Sequence, residues 1–104
     1  MNKIQIDVGV YTPLYVDLTN YDFNGITKLI LTIKNYLDDD AEKIIVREFT
    51  EPNKYEVLIT PEESRKLLDS AVYDFVFETL DGKTYKTTDV GRIDLNKVVG
   101  EVDE

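Results

Sequence analysis

Apolar and polar residues alternate with a period of two through most of this chain, and this alternation constrains the fold more than any other sequence feature. Successive side chains of a strand point to opposite faces, so the pattern predicts half-buried strands and not helices. The runs lie at residues 4–10, 14–18, 28–34, 44–49, 54–59 and 72–78, and a last run extends from Thr84 to about Leu95. We therefore predict an all-β fold of about seven to eight short strands.

Three residue types predict breaks in this pattern. Pro13 lacks the N–H that a central strand needs, so it predicts a strand start, an edge, or a kink in the first strand. Asp81-Gly82 stands between two alternating runs and predicts a tight hairpin turn in which both residues accept positive φ. Gly91 interrupts the last run, and because an isolated Gly in a strand favours a bulge, we expect the last strand to bend there.

One short segment predicts a helix between the fifth and sixth strands. Thr60 suits an N-cap, Pro61 suits the first helical position, and Glu63 completes a capping box. The helix can run only to about Leu68, since strand alternation resumes soon after. We expect Leu67 and Leu68 to anchor it over one end of the strand layers.

Length and composition indicate a single domain. The 104 residues are near the commonest domain size, and a hydrophobic content of 42% is enough for a compact core. We expect one domain at residues 1–98 and an acidic tail at residues 99–104 that frays. The number and spacing of the strands favour a β-sandwich, with a small barrel as the alternative.

Charge and missing residue types exclude several classes of function. Lys and Arg number 12 against 21 Asp and Glu, a net charge of −9 that repels nucleic acid and anionic lipid surfaces. No apolar run approaches the roughly 20 residues of a spanning helix, and the first residues have no secretory apolar region. Cysteine and histidine are absent, so disulfides, thiolate metal sites and the usual general base are excluded. We expect a soluble chain that is assembled in reducing cytoplasm and binds neither nucleic acid nor membrane.

No residue pattern predicts a catalytic, cofactor or metal site. Ser64 and Ser70 have no candidate base, and we interpret both as structural. The acidic run at residues 38–42 invites a calcium interpretation, but it lacks the ligand spacing and turn Gly of a calcium loop, so we interpret it as an exposed loop. Paired carboxylates need a substrate cleft that a small sandwich hardly offers. We therefore predict a protein that is not an enzyme and has no cofactor.

Aromatic residues in the first third of the chain allow two interpretations. They are Tyr11, Tyr15, Tyr21, Phe23 and Tyr36. If exposed, they form a binding patch, because Tyr is enriched at interfaces. We favour ordinary packing in the core, which leaves the partner-binding residues undetermined.

The segment around Tyr73 resembles the tyrosine corner of immunoglobulin-like domains. Tyr73 stands two residues before Phe75, which takes the place of the second cysteine of those domains. Residues 91–95 are similar to the end of the last strand in the same class. The resemblance implies an immunoglobulin-like antiparallel β-sandwich in which Tyr73 is buried and its hydroxyl is hydrogen-bonded to backbone near the helix.

A second resemblance covers nearly the whole chain. Its pieces, in order, are residues 16–19, 29–34, 60–63, 72–77, 81–83 and 91–93. Together they resemble the N-terminal domain of phage baseplate upper proteins and related tail and neck modules. That family implies no catalytic residues.

The phage resemblance implies an assembly function. We expect a structural or adaptor module of a phage or prophage virion, in its tail, baseplate or neck, that is assembled in the bacterial cytoplasm. Its partners would be other virion proteins or further copies of itself, bound by edge pairing and face contacts. The alternative is a carbohydrate-binding or adhesion module of a bacterial surface protein, since sandwiches host many functions.

Overall fold

The computed structural model describes residues 3–20, 23–38, 40–86 and 91–97. Within these residues the elements are β1 (Lys3–Val8), β2 (Thr12–Asp17), β3 (Ile26–Lys34), β4 (Lys43–Phe49), β5 (Lys54–Ile59), α1 (Pro61–Arg65), β6 (Val72–Thr79), β7 (Thr84–Lys86) and β8 (Gly91–Lys97). The strand content and the short helix between β5 and β6 confirm the all-β prediction. The predicted tail at residues 99–104 lies outside the described residues.

The strands form two sheets of unequal size. The larger sheet has the order β1-β8-β6-β3-β4, with β7 also paired to β6, and the smaller sheet consists of β2 and β5. Buried side chains from both sheets, such as Leu31 on β3 and Ile59 on β5, belong to one core cluster between the layers. Alternation places them there, because every second residue of each strand faces the opposite sheet. The arrangement is a sandwich and not a closed barrel.

The connection between β1 and β2 differs from the sequence prediction. The break falls at Gly9, whose φ of 87° is positive, and not at Pro13. The Gly9 N–H donates to the buried Ser64 hydroxyl at 2.9 Å, which ties this turn to α1. Val10, the last residue of the first alternating run, lies in the turn and is exposed. The turn sends β1 and β2 into different sheets.

One strand pairing also departs from the antiparallel expectation. β1 runs parallel to β8 over six residue pairs, from Lys3 with Arg92 to Val8 with Lys97. β8 in turn pairs with β6 at Tyr73 and Val72, and the Ile93 N–H donates to the Ala71 carbonyl. We predicted one bent strand from Thr84 to Leu95, whereas the structure has β7 beside β6 and β8 beside β1. Gly91, where we expected the bend, is the first residue of β8, and residues 87–90 before it lie outside the described residues.

Helix α1 has the predicted capping box. The Glu63 N–H donates to the Thr60 hydroxyl at 3.2 Å, and the Thr60 N–H donates to the Glu63 carboxylate at 3.1 Å. Arg47 on β4 donates to both oxygens of the same carboxylate, at 2.9 and 3.0 Å, and so fixes α1 to the larger sheet. Leu67 is buried as expected, but Leu68 is exposed, because the helix ends at Arg65.

The predicted hairpin is present with a different turn. Gly82 has a φ of 84°, whereas Asp81 does not have positive φ. The Gly82 N–H donates to the Thr79 carbonyl and the Thr79 N–H donates to the Lys83 carbonyl, so the loop has three residues and not two.

Candidate functional site

A groove between β1 and β2 has a cavity volume of about 450 Å³. Residues 13–18, along β2 and just beyond it, line one side, and residues 4–5 of β1 border the other. The floor consists of side chains from the larger sheet: Leu31, Tyr73 and Phe75. We call this feature the β2 groove. Its volume lies in the range of pockets that hold one small ligand or a few side chains.

The groove exists because β2 has a neighbour on one side only. Among the described residues β2 pairs with β5 alone, since the turn at Gly9 carries β1 into the larger sheet. The Leu18 N–H donates to the Asn53 carbonyl on the β5 side at 3.0 Å. Backbone groups alternate along a strand, so the N–H and C=O groups of Tyr15 and Asp17 face the open edge. Pro13 also faces this edge, as the sequence predicted, and contributes a carbonyl only.

The groove floor is held in place at Tyr73. Tyr73 is 6% exposed and contacts Phe75 edge to face, with ring centroids 6.2 Å apart. Its ring covers Gly91, where a Cβ would lie 2.7 Å from the Tyr73 hydroxyl and closer still to two ring carbons. Burial raises the pKa of Tyr73 above its ordinary value of 10.0. The ring therefore stays neutral at physiological pH.

The structure corrects one part of the expected tyrosine corner. Tyr73 is buried as predicted, but its hydroxyl makes no hydrogen bond to any of the described residues, including those of the helix. The helix is held by other groups: the Ser64 hydroxyl accepts from the Gly9 N–H, and the Asn35 amide donates to the Lys66 carbonyl. Among the described residues, the tyrosine ring stabilises the corner by packing.

The charged residue of the β2 groove is Asp17. The Thr19 hydroxyl and the Thr19 N–H donate to its carboxylate at 2.6 and 3.0 Å. These hydrogen bonds, the hydroxyl first, lower the pKa of Asp17 below 3.8, with a smaller contribution from the Lys54 charge. Asp17 is therefore ionised at neutral pH, and no Lys or Arg is among the described residues that line the groove.

Three of the five aromatic residues of the first third are exposed and do not pack in the core as we favoured. Tyr15 is 77% exposed, Tyr11 62% and Tyr36 54%, while Phe23 packs against the core cluster. Tyr21 lies outside the described residues. Tyr11 and Tyr15 border different cavities, one beside α1 and one beside β2, so the exposed rings do not form a single patch.

The remaining candidates behave as structural residues in the described part of the chain. The Ser64 hydroxyl is buried between Gly9 and Pro61, and the Ser70 hydroxyl donates to the Asn35 carbonyl at 2.6 Å. Asp38 and Asp40 are exposed, and no group of three or more acidic side chains capable of holding a metal ion is found among the described residues. No described helix is long and apolar enough to cross a membrane.

Comparison with known proteins gives information on the fold only. No protein-family model matches the chain, and no curated protein sequence matches it. Among solved structures, the extracellular domain of the voltage-gated sodium channel beta4 subunit has a TM-score of 0.50 and 10% sequence identity, over 94% of this chain and 92% of that chain. That protein forms parallel homodimers with a role in cell–cell adhesion.

Two further solved structures show a weaker similarity. Murine CRIg has a TM-score of 0.47 and 11% identity, over 91% of this chain and 92% of that chain. Mouse leukocyte-associated immunoglobulin-like receptor 1, solved as a strand-swapped dimer, has a TM-score of 0.45 and 11% identity, over 92% and 81%. The fold of this chain is an all-β immunoglobulin-like sandwich.

Proposed function

We propose that this chain is a non-enzymatic assembly module that attaches other proteins to a phage or prophage virion. The ordered sequence resemblance to baseplate upper proteins suggests the setting, which would be a tail, baseplate or neck assembled in the bacterial cytoplasm. The open β2 edge beside an apolar groove is the observation that carries the proposal. An unpaired strand edge presents N–H and C=O groups that a partner strand can bind.

The chemistry of the described residues supports binding more than catalysis. The groove is lined mainly by apolar side chains, and Asp17 is the one carboxylate among its described lining residues. Such a surface suits burial against a partner, because apolar contact and backbone pairing need no reacting group.

Particle composition tests the proposed setting. Virions are purified from a strain that carries the gene, by density gradient after prophage induction, and this chain is quantified by mass spectrometry against the major tail protein. We expect a fixed ratio between the two across the gradient fractions. Absence of the chain from particles that contain complete tails would contradict the proposal.

The second candidate is a carbohydrate-binding or adhesion module of a bacterial surface protein. The high exposure of Tyr15 and Tyr11 favours it, because exposed aromatic rings are common at recognition surfaces. Binding to a glycan array that is lost in a Tyr15→Ala variant would support this candidate. An array without signal would argue against this candidate and leave the assembly function as the remaining one.

A further inference from the structure

We propose that the β2 groove binds a single extended segment of another protein, of net positive charge, which adds to β2 as a third strand of the smaller sheet. This inference rests on the proposed assembly function and specifies its partner. The segment would supply the hydrogen bonds that the open edge of β2 lacks and fill the groove with alternate side chains.

The open edge sets the length and backbone pairing of the segment. The edge spans residues 13–18, so a segment of about six to eight residues covers it, at roughly 3.3 Å per residue. Tyr15 and Asp17 each present an N–H and a C=O there, and Pro13 presents a C=O. The added strand pairs with these five groups and does not displace β5, whose hydrogen bonds use the other residues of β2.

The groove floor sets the side chains of the segment. Leu31 and Tyr73 are buried under the groove and Phe75 is partly exposed in it, so the surface beneath the added strand is apolar. Every second residue of an added strand points toward this floor. Apolar residues at alternate positions, β-branched ones in particular, therefore match the groove.

Net charge favours a free segment over a second copy of this chain. Ile4 and Gln5 of β1 border the groove on the side opposite β2, so the groove has room for an added strand between them. Two copies that approached each other by their β2 edges would each carry a net charge of −9, and like charges repel. A single extended segment of positive charge meets no such repulsion.

Charge complementarity decides the polar positions of the segment. The chain carries a net charge of −9, and Asp17 at the groove is ionised. Lys54, its cross-strand partner on β5, is not among the described lining residues. A segment with Lys or Arg at its outward or terminal positions is attracted, whereas an acidic segment is repelled.

Two proline variants test the two edges of the smaller sheet one at a time. Tyr15 and Glu56 are cross-strand partners, and their backbone N–H groups face opposite open edges, Tyr15 toward the groove and Glu56 away from it. Tyr15→Pro removes an N–H from the groove edge, and Glu56→Pro removes one from the far edge of β5. Neither substitution removes a hydrogen bond between β2 and β5, so each is a matched control for the other. Thermal unfolding of both variants is the control for whether each substitution leaves the sandwich folded.

The probe is a display library of random octapeptides selected on the wild-type chain. We expect the selected peptides to alternate apolar and polar residues and to carry Lys or Arg. Their dissociation constants should rise at least tenfold for Tyr15→Pro and change less than twofold for Glu56→Pro. Amide hydrogen exchange at Tyr15 and Asp17 should slow when peptide is bound, because those N–H groups become hydrogen-bonded.

Several results would overturn this inference. They are selection of no peptide, equal binding of the selected peptides by Tyr15→Pro, and loss of binding in Glu56→Pro alone. Concentration-dependent dimerisation that Tyr15→Pro abolishes would identify a second copy as the occupant and would equally reject the free segment.

The groove inference and the proposed virion role fail separately. Virions that contain the chain, together with a library that yields no peptide, would reject the groove and leave the assembly role. Peptides that bind through the groove, together with virions that lack the chain, would support the groove and reject the virion role.

Discussion

Replacement of Gly91 by Ala should destabilise the sandwich, because the ring of Tyr73 already occupies the space beside Gly91. A Cβ built at this position would lie 2.7 Å from the Tyr73 hydroxyl, and the ring carbons Cε1 and Cζ would be closer. Tyr73 is 6% exposed and packed against Phe75, so the ring has little freedom to move away.

Two opposing effects decide the size of the change. Overpacking of a buried site costs about 1 to 3 kcal/mol. Gly91 does not have positive φ, so the Ala backbone is compatible and regains about 0.4 to 1 kcal/mol through the unfolded state. We expect a net loss of about 1 to 2 kcal/mol, which lowers the melting temperature by roughly 5 to 10 °C for a chain of this size.

Urea unfolding of four variants measures this effect. Gly25→Ala is the matched control, because a Cβ there meets no atom within 4 Å and its φ is also not positive. In a double-mutant cycle, Tyr73→Leu should relieve the clash, so that Gly91→Ala with Tyr73→Leu is more stable than the sum of the single changes predicts, by about 1 kcal/mol or more. If Gly91→Ala is as stable as Gly25→Ala, or if the cycle shows no coupling, then the ring does not define this site.

Four further predictions concern the corner and the helix. Thr60→Ala should lower the free energy of unfolding by about 1 kcal/mol in urea titrations, whereas Thr60→Ser, which keeps the cap, should cost much less. Tyr73→Phe should change the free energy of unfolding by less than about 0.5 kcal/mol at pH 7, because the hydroxyl has no partner among the described residues. A loss above about 1 kcal/mol would instead support a hydrogen-bonded tyrosine corner. Since burial raises the Tyr73 pKa above 10.0, the stability this residue contributes is complete below pH 10.0 and lost as the pH rises through the folded-state pKa, so Tyr73→Phe should be less sensitive to alkali than the wild type. Burial alone would raise the pKa of Glu63, yet hydrogen bonds from Arg47 and Thr60 hold it below 4.5, so the stability that Glu63 contributes is present above pH 4.5 and is lost as the pH falls through the lower folded-state value. The stability difference between wild type and Glu63→Gln should shrink over the same range, and a constant difference down to pH 2 would argue against the ion pair.

Local sequence signals identified the elements that depend on neighbouring residues. The capping box at Thr60 and Glu63 and the hairpin at Gly82 each depend on groups within a few residues, and both are present in the structure. The predicted two-residue turn was wrong, because the residues at this turn fit a three-residue loop as well as a two-residue one. Its flanking hydrogen bonds, from Thr79 to Lys83 and from Gly82 to Thr79, select the longer loop.

Exposure of the aromatic side chains was the least predictable feature. Tyr15 belongs to an alternating run whether it packs in the core or is exposed. Which face of that strand is buried depends on the sheet that covers it. Leu14 and Val16 pack against the core, so Tyr15 is left on the outer face of the smaller sheet. Tyr11 and Tyr36 lie in connections, where no periodicity constrains their burial.

The sequence by itself determined the strand class of this protein, its capped helix and its acidic surface, since alternation, capping and charge are local or additive properties. The open edge of β2 was decided only by tertiary structure. The sequence could place Pro13 at an edge, but the edge is open because the turn at Gly9 carries β1 away to pair in parallel with β8, residues distant in the chain. Which strand pairs with which depends on long-range packing, and in this chain that packing leaves the β2 groove unfilled.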